Sequence, residues 1–264
     1  AEELSLPLDA IQIGGADTKG TPYDASTCSS RSTTLMGTAV LRAARDLKQQ
    51  LLKIGAESFH AKPSQIRLVD GAMICGEMRL TFKEALQRRF GGSGGELIGH
   101  GDVGPEITGT LPVFWEIGMG TAELDVDEET GEVAIKRYVS VADVGKAIHP
   151  EGCVGQEEGA AMMGIGHTMF EQMVYEGDQL INPNLVDYRV PRFPDVPKEF
   201  HTVLVENEDG PGPHGARGMG EGGLVSVAPA ITNALACGTG VRIKDLPLTP
   251  ERVWRALRER KGKL

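Results

Sequence analysis

The residue whose type and setting best suit chemistry is Glu221. It sits between glycines in the run Pro211-Gly212-Pro213-His214-Gly215-Ala216-Arg217-Gly218-Met219-Gly220-Glu221-Gly222-Gly223. Flanking glycines let a carboxylate approach a substrate without crowding it. An apolar helix is expected directly afterwards, and the partial positive charge at its start favours an anion. That setting suits a general base. A solvated glutamate in a loop is the plain alternative. Gly218, Gly220 and Gly223 also fit G-x-G-x-x-G. The dinucleotide fingerprint follows a strand directly. Here the expected strand ends at Glu206, and eleven residues with two prolines intervene before Gly218. An NAD-type site is therefore disfavoured.

Two more segments run into expected helices. Ser29-Ser30-Arg31-Ser32-Thr33-Thr34 precedes a helix signal in which Leu35, Ala39, Ala43, Leu47 and Leu51 recur at i, i+4. Hydroxyls there either cap the helix or bind phosphate with the free N–H groups. Gly155-Gln156-Glu157-Glu158-Gly159 opens a second helix that also carries Gly164 and Gly166. Helical glycines cost about 1 kcal/mol each relative to alanine. They point to close approach by another helix or by a flat ligand, for which Gln156 is a donor.

Composition removes other classes. Lys and Arg number 27 against 37 Asp and Glu, for a net charge of −10. Nucleic acid is not an expected partner, because phosphate neutralisation needs a basic face. No run approaches about 18 consecutive apolar residues, so no membrane span is expected. Cys28, Cys75, Cys153 and Cys237 form no C-x-x-C pair, and the six histidines are scattered. Direct metal ligation by this chain is not expected; a metal would arrive within a cofactor. Unpaired cysteines fit a reducing, cytoplasmic setting. Glycine stands at 35 of 264 residues, nearly double the usual share of roughly 7 %. The chain starts at Ala1 without an initiator Met, which suggests a processed chain or a piece of a longer one.

The elements that must position these residues follow from local pattern. A short strand is expected at Ile11–Gly15, a hairpin over Ile66–Cys75 turning at Asp70-Gly71, and a flexible stretch from Gly91 to about Pro112. A longer hairpin joins Thr121–Asp127 to Glu132–Ala142. Helices are expected at Gln156–Phe170, Leu224–Cys237 and Glu251–Leu264, and a strand at His201–Glu206. Mixed hairpins and helices without a regular βαβ rhythm indicate an α+β fold. The expected lobes are 1–112 and 113–264.

Taken in order, these segments resemble the C-terminal part of the molybdenum-binding subunit of the xanthine dehydrogenase and aldehyde oxidase family, the molybdenum hydroxylases. The resemblance rests on Ser29–Thr34, Asp143-Val144-Gly145-Lys146-Ala147-Ile148-His149-Pro150 and Gly155–Gly159. It rests also on Asp187-Tyr188-Arg189-Val190-Pro191, Gly215–Glu221 and Leu246-Pro247-Leu248-Thr249-Pro250-Glu251-Arg252-Val253. It implies the second molybdopterin-binding domain of a large subunit, whose cofactor is molybdopterin with Mo, in bacteria often the cytosine dinucleotide form. By resemblance Ser29, Ser30, Ser32 and Thr33 contact the pterin or its phosphates, Gln156 and Gly220 line the cofactor, and Glu221 is the base. The implied reaction hydroxylates an aldehyde or N-heterocycle with oxygen from water. Electrons leave through iron–sulfur clusters and FAD on other subunits. Family subunits extend several hundred residues further at the N-terminal side, so the implied partners are that N-terminal half, an iron–sulfur subunit and a flavin subunit. A cofactor-free fragment or assembly module of such a complex is the rival expectation.

Overall fold

The computed structural model describes residues 1–24, 26–104 and 115–262. The chain forms two compact units, one of Ala1–Thr27 with Ser32–Val113, the other of Cys28–Arg31 with Phe114–Leu264. The lobe boundary expected at residue 112 lies outside the described residues.

The first unit is built on helix α1 (Ser32–Phe59) and an antiparallel sheet of β1 (Arg67–Val69), β2 (Ala72–Cys75) and β3 (Met78–Thr81). Asp70 and Gly71 join β1 to β2 with φ of 44° and 69°. A primed two-residue turn requires positive φ at both positions, which is why Asp-Gly marks it. Leu51 and Ile54 of α1 pack with Ile66, Met73 and Leu80 in the core. Thr81 starts α2 (Phe82–Phe90) by accepting from the Glu84 N–H, while the Glu84 carboxylate accepts from the Thr81 N–H.

Two expectations for this unit need correction. No strand forms at Ile11–Gly15; the segment is irregular, and Ile13 is 94 % exposed. A short apolar run without a pairing partner has no ladder to join. The described part of the expected flexible stretch instead lies along α1. Arg42 Nη1 donates to the Asp102 carbonyl at 2.7 Å, Gln50 Nε2 to the Ile98 carbonyl at 2.9 Å, and the His100 N–H to Asp46 Oδ2 at 3.0 Å. Side chains at Gly99 and Gly101 would strike the Ala43 and Ala39 carbonyl oxygens. These glycines serve contact rather than flexibility. The remainder of that stretch, 105–112, is outside the described residues.

In the second unit β4 (Ile117–Val126) and β5 (Val133–Gly145) form the expected long hairpin. The chain then passes through α3 (Pro150–Met169) to β8 (Glu199–Glu206), which pairs parallel to β5. The sheet order is β4-β5-β8, beside a small separate hairpin of β6 (Tyr175–Glu176) and β7 (Gln179–Leu180). One parallel crossover inside otherwise antiparallel pairing keeps the fold α+β. Alternation on β5 sends Tyr138, Ser140, Ala142 and Val144 inward. There Tyr138 meets Ile165 of α3 and Val227, Ile231 and Leu235 of a C-terminal helix. The last helix, Pro250–Arg260, starts at Thr249, whose Oγ1 accepts from the Arg252 N–H.

Helix α3 begins ahead of the expected Gln156. His149 Nδ1 accepts the Gly152 N–H at 2.7 Å, and Pro150 occupies the first turn. The helix expected over Leu224–Cys237 is divided at Ser226 into α4 (Gly222–Val225) and α5 (Val227–Thr239); Pro250–Arg260 is α6. The span Gly222–Thr239 is long and apolar enough, by length and composition alone, to cross a membrane. Its Val227, Ile231 and Leu235 are buried in the protein core, while Leu224 and Val225 are exposed.

Candidate active site

Four of the expected site residues converge in the second unit. Ser30 Oγ donates to Glu221 Oε2 at 3.0 Å. An added Cβ at Gly220 would lie 3.5 Å from Ser30 Oγ and 3.9 Å from Gln156 Oε1. Ser29 and Ser30 both hold left-handed backbone, with φ of 60° and 51°. Such conformations cost of order 1–3 kcal/mol each for ordinary residues and cluster at functional sites. Ser32 and Thr33 open α1 in the first unit.

The loop that carries Glu221 is stitched to the end of β5. The Lys146 N–H donates to the Gly215 carbonyl at 3.1 Å, and the Arg217 N–H to the Val144 carbonyl at 2.9 Å. Gly145 adopts φ +62°, and a Cβ there would strike the Gly215 carbonyl oxygen, so this crossing requires glycine. The Arg217 side chain, 13 % exposed, pairs with Asp143 at 3.4 Å and also with Asp209. Asp143 additionally accepts the Gly145 N–H at 3.0 Å and Asn207 Nδ2 at 3.1 Å.

Glu116 approaches the other edge of the loop. Its Oε1 accepts the Gly220 N–H at 3.1 Å and the Gly222 N–H at 2.8 Å. A cavity of about 480 Å³ opens beside it, walled by Glu116, Met119, Glu221, Val225, Pro229 and Asn233 among others. Two carboxylates line it, and the rest of its lining is mostly apolar.

Beneath Gly223 lies Glu157, only 2 % exposed. A Cβ on Gly223 would come within 2.9 Å of its carboxyl group. Ser140 Oγ donates to Glu157 Oε1 at 2.5 Å. Burial pushes the Glu157 carboxyl above its ordinary 4.5; the Ser140 bond opposes this, and repulsion from Glu116 adds to it. Well below pH 4.5 the group is protonated in both folded and unfolded chains and is neutral to stability. As pH climbs toward the raised folded value, the unfolded chain loses a proton that the folded chain keeps, and stability falls. Glu157→Gln removes that fall. The Tm of Glu157→Gln relative to wild type is expected to rise between pH 3.5 and pH 7, as read by thermal melts across that range. A pH-independent Tm difference contradicts this reading.

Sequence reasoning missed Glu116 and Glu157. Glu157 carries a readable signal: it lies on the same helical stripe as the buried Ala160, Ala161, Gly164 and Ile165. Glu116 carries none. Of the two reasons expected for the α3 glycines, helix packing is seen at Gly164. A side chain at Gly164 would meet Val227 at 2.6 Å, which is helix packing. Gly155 and Gly159, on either side of the exposed Gln156, have nothing within 4 Å of an added Cβ.

Among the described residues no cluster of three His, Cys, Asp or Glu is placed to hold a metal ion. The site in the second unit offers the Ser30 hydroxyl, the Gln156 amide and bare backbone instead. Separately, in the first unit, Ser32 Oγ is buried and has no hydrogen-bond partner among the described residues. An orphaned hydroxyl at a helix start suits a polar ligand group such as a phosphate or pterin. The donor set therefore fits a cofactor that brings its own metal ligands.

Comparison with known proteins agrees with that chemistry. Residues 1–197 match the family described as a molybdopterin cofactor-binding domain. The chain is 31 % identical over 263 residues to the xanthine dehydrogenase molybdenum-binding subunit of Escherichia coli O157:H7, covering 96 % of this chain and 34 % of that protein. It is 31 % identical over 268 residues to the nicotine 6-hydroxylase large subunit of Paenarthrobacter nicotinovorans, covering 97 % of this chain and 32 % of that protein. Its fold is similar to reconstituted CO dehydrogenase from Oligotropha carboxidovorans (TM-score 0.84, 23 % identity, 98 % of this chain and 33 % of that one). It is similar also to quinoline 2-oxidoreductase from Pseudomonas putida 86 (TM-score 0.81, 23 % identity, 97 % and 34 %). The chain belongs to the molybdenum hydroxylases of the xanthine dehydrogenase and aldehyde oxidase type, within the molybdopterin-binding part of their molybdenum-binding subunit. It spans about a third of the length of these relatives.

Proposed function

We propose that this chain supplies the catalytic base and part of the cofactor surface of a molybdenum hydroxylase that works with partner chains. The observation that carries the reading is the bond from Ser30 to Glu221, with Gln156 and Ser30 both beside the adjoining Gly220. Ser30 holds one carboxylate oxygen of Glu221, leaving the other to accept a proton from the reacting group. Gln156 presents its amide beside the bare backbone of Gly155 and Gly159. Ser29, Ser32 and Thr33 provide hydroxyls for the pterin or its phosphates. The bound cofactor, molybdopterin in its plain or cytosine dinucleotide form, supplies the two-electron oxidation. Overall an aldehyde or N-heterocycle C–H and one water become C–OH, with two electrons and two protons released. Iron–sulfur and flavin subunits accept the electrons, and a chain equivalent to the N-terminal half completes the pocket, in the cytoplasm.

The test is metal analysis of the complex purified through this chain after co-expression with its neighbouring genes. About one molybdenum per copy, with a pterin released on denaturation, is the expected result. A stable complex without molybdenum or pterin replaces this reading with that of an assembly module.

A further inference from the structure

We propose that Glu116 is a positioning residue that fixes the backbone on both sides of Glu221, an inference that rests on the base role given to Glu221 above. One oxygen, Glu116 Oε1, accepts the N–H of Gly220 and the N–H of Gly222. These are the residues immediately before and after the base. Two amides converging on one anionic oxygen set the peptide planes on either side of Glu221, and hence the direction in which its side chain leaves the backbone. Charge-assisted bonds of this kind are roughly twice as strong as neutral ones. The Gly222 N–H also belongs to the first turn of α4, where donors lack helical partners.

The glycine spacing has a reason here that substrate access alone does not give. A Cβ on Gly222 would lie 2.8 Å from the carboxyl carbon and Cγ of Glu116. A side chain at 222 would therefore push the Glu116 carboxylate out of this position, whereas glycine admits it. One residue further on, Gly223 rests on the buried Glu157 and the Glu157 carbonyl oxygen. The base loop thus contacts a carboxylate at the head of β4 and the carboxyl group of a glutamate on α3. Glu116 stands directly before the ten-residue strand β4, a rigid mount for a part whose task is to hold still.

The experiment compares Glu116→Ala and Glu116→Gln in the full complex, using hydrogen exchange, molybdenum content and steady-state kinetics. Gln keeps the amide oxygen that accepts both N–H groups; Ala does not. Exchange in the peptide spanning 218–224 is expected to accelerate at least about tenfold in Glu116→Ala and to stay near wild type in Glu116→Gln. In Glu116→Ala kcat is expected to fall by about 10²-fold, the usual penalty for an ångström-scale misplacement. KM and molybdenum content should stay within about twofold of wild type, and Glu116→Gln should recover most of kcat. Unchanged exchange in Glu116→Ala overturns the clamp. Faster exchange with undiminished kcat overturns its positioning role, as does a folded, loaded Glu116→Gln that remains as slow as Ala. Failure of the base role shows separately, as a wild-type complex without molybdenum or a Glu221 variant with normal turnover.

Discussion

Glu221→Gln in the assembled complex is expected to retain molybdenum and lose turnover, with kcat reduced by about 10²–10⁴-fold, the usual contribution of a general base. The substitution is a clean one here. The glutamine amide oxygen still accepts from Ser30 Oγ, which sits 3.0 Å from Glu221 Oε2. The bonds from Gly220 and Gly222 to Glu116 are backbone bonds and survive the change. What disappears is the ability to take a proton. Removing only the orienting bond, with Ser30→Ala, should cost much less, because the carboxylate remains. Kinetics and metal analysis on the same preparation decide the matter. A loaded Glu221→Gln complex that turns over at near-normal speed ends the base assignment.

Arg217→Met carries the largest expected effect on stability. Arg217 and Asp143 are 13 % and 14 % exposed, and they join the base loop to the end of β5. Breaking a buried pair by removing one partner costs about 3–5 kcal/mol, because the other charge stays buried and uncompensated. At roughly 2–4 °C per kcal/mol the melting temperature should fall by about 6–20 °C. Asp143 keeps its bonds from Asn207 and the Gly145 N–H, so the lower half of that range is favoured. Adding Asp143→Asn to Arg217→Met should recover part of the loss, since the stranded charge is then gone. A single Arg217→Met that melts within about 2 °C of wild type contradicts the brace.

The elements legible in the sequence were those with local causes. Apolar spacing marked α1, Asp70-Gly71 marked the first hairpin, and the runs Thr121–Asp127 and Glu132–Ala142 marked the second. Ile11–Gly15 misled because a strand is made by its neighbour, and none pairs there. Gly99 and Gly101 misled in the opposite direction. Their bareness read as flexibility, yet it lets residues 98–102 lie against the α1 backbone. For the site, the glycine-flanked Glu221 stood out through its neighbours in sequence. Its physical partners did not, because Ser30 is 191 positions away and Glu116 bonds to residues 104 and 106 positions away. The parallel pairing of β8 with β5 is equally long-range, and no local pattern encodes such a match.

The crowding at Gly222 couples two positions in any redesign. A methyl at 222 would displace the Glu116 side chain, so a substitution there would also loosen the bonds from the 220 and 222 amides. Met119, Val225 and Asn233 line the same cavity without that coupling. On the proposed function, a library aimed at a new substrate takes this chain's share of its diversity at those three walls and leaves the 220–222 backbone untouched. Pocket shape and base geometry then become separately adjustable properties of the same small region.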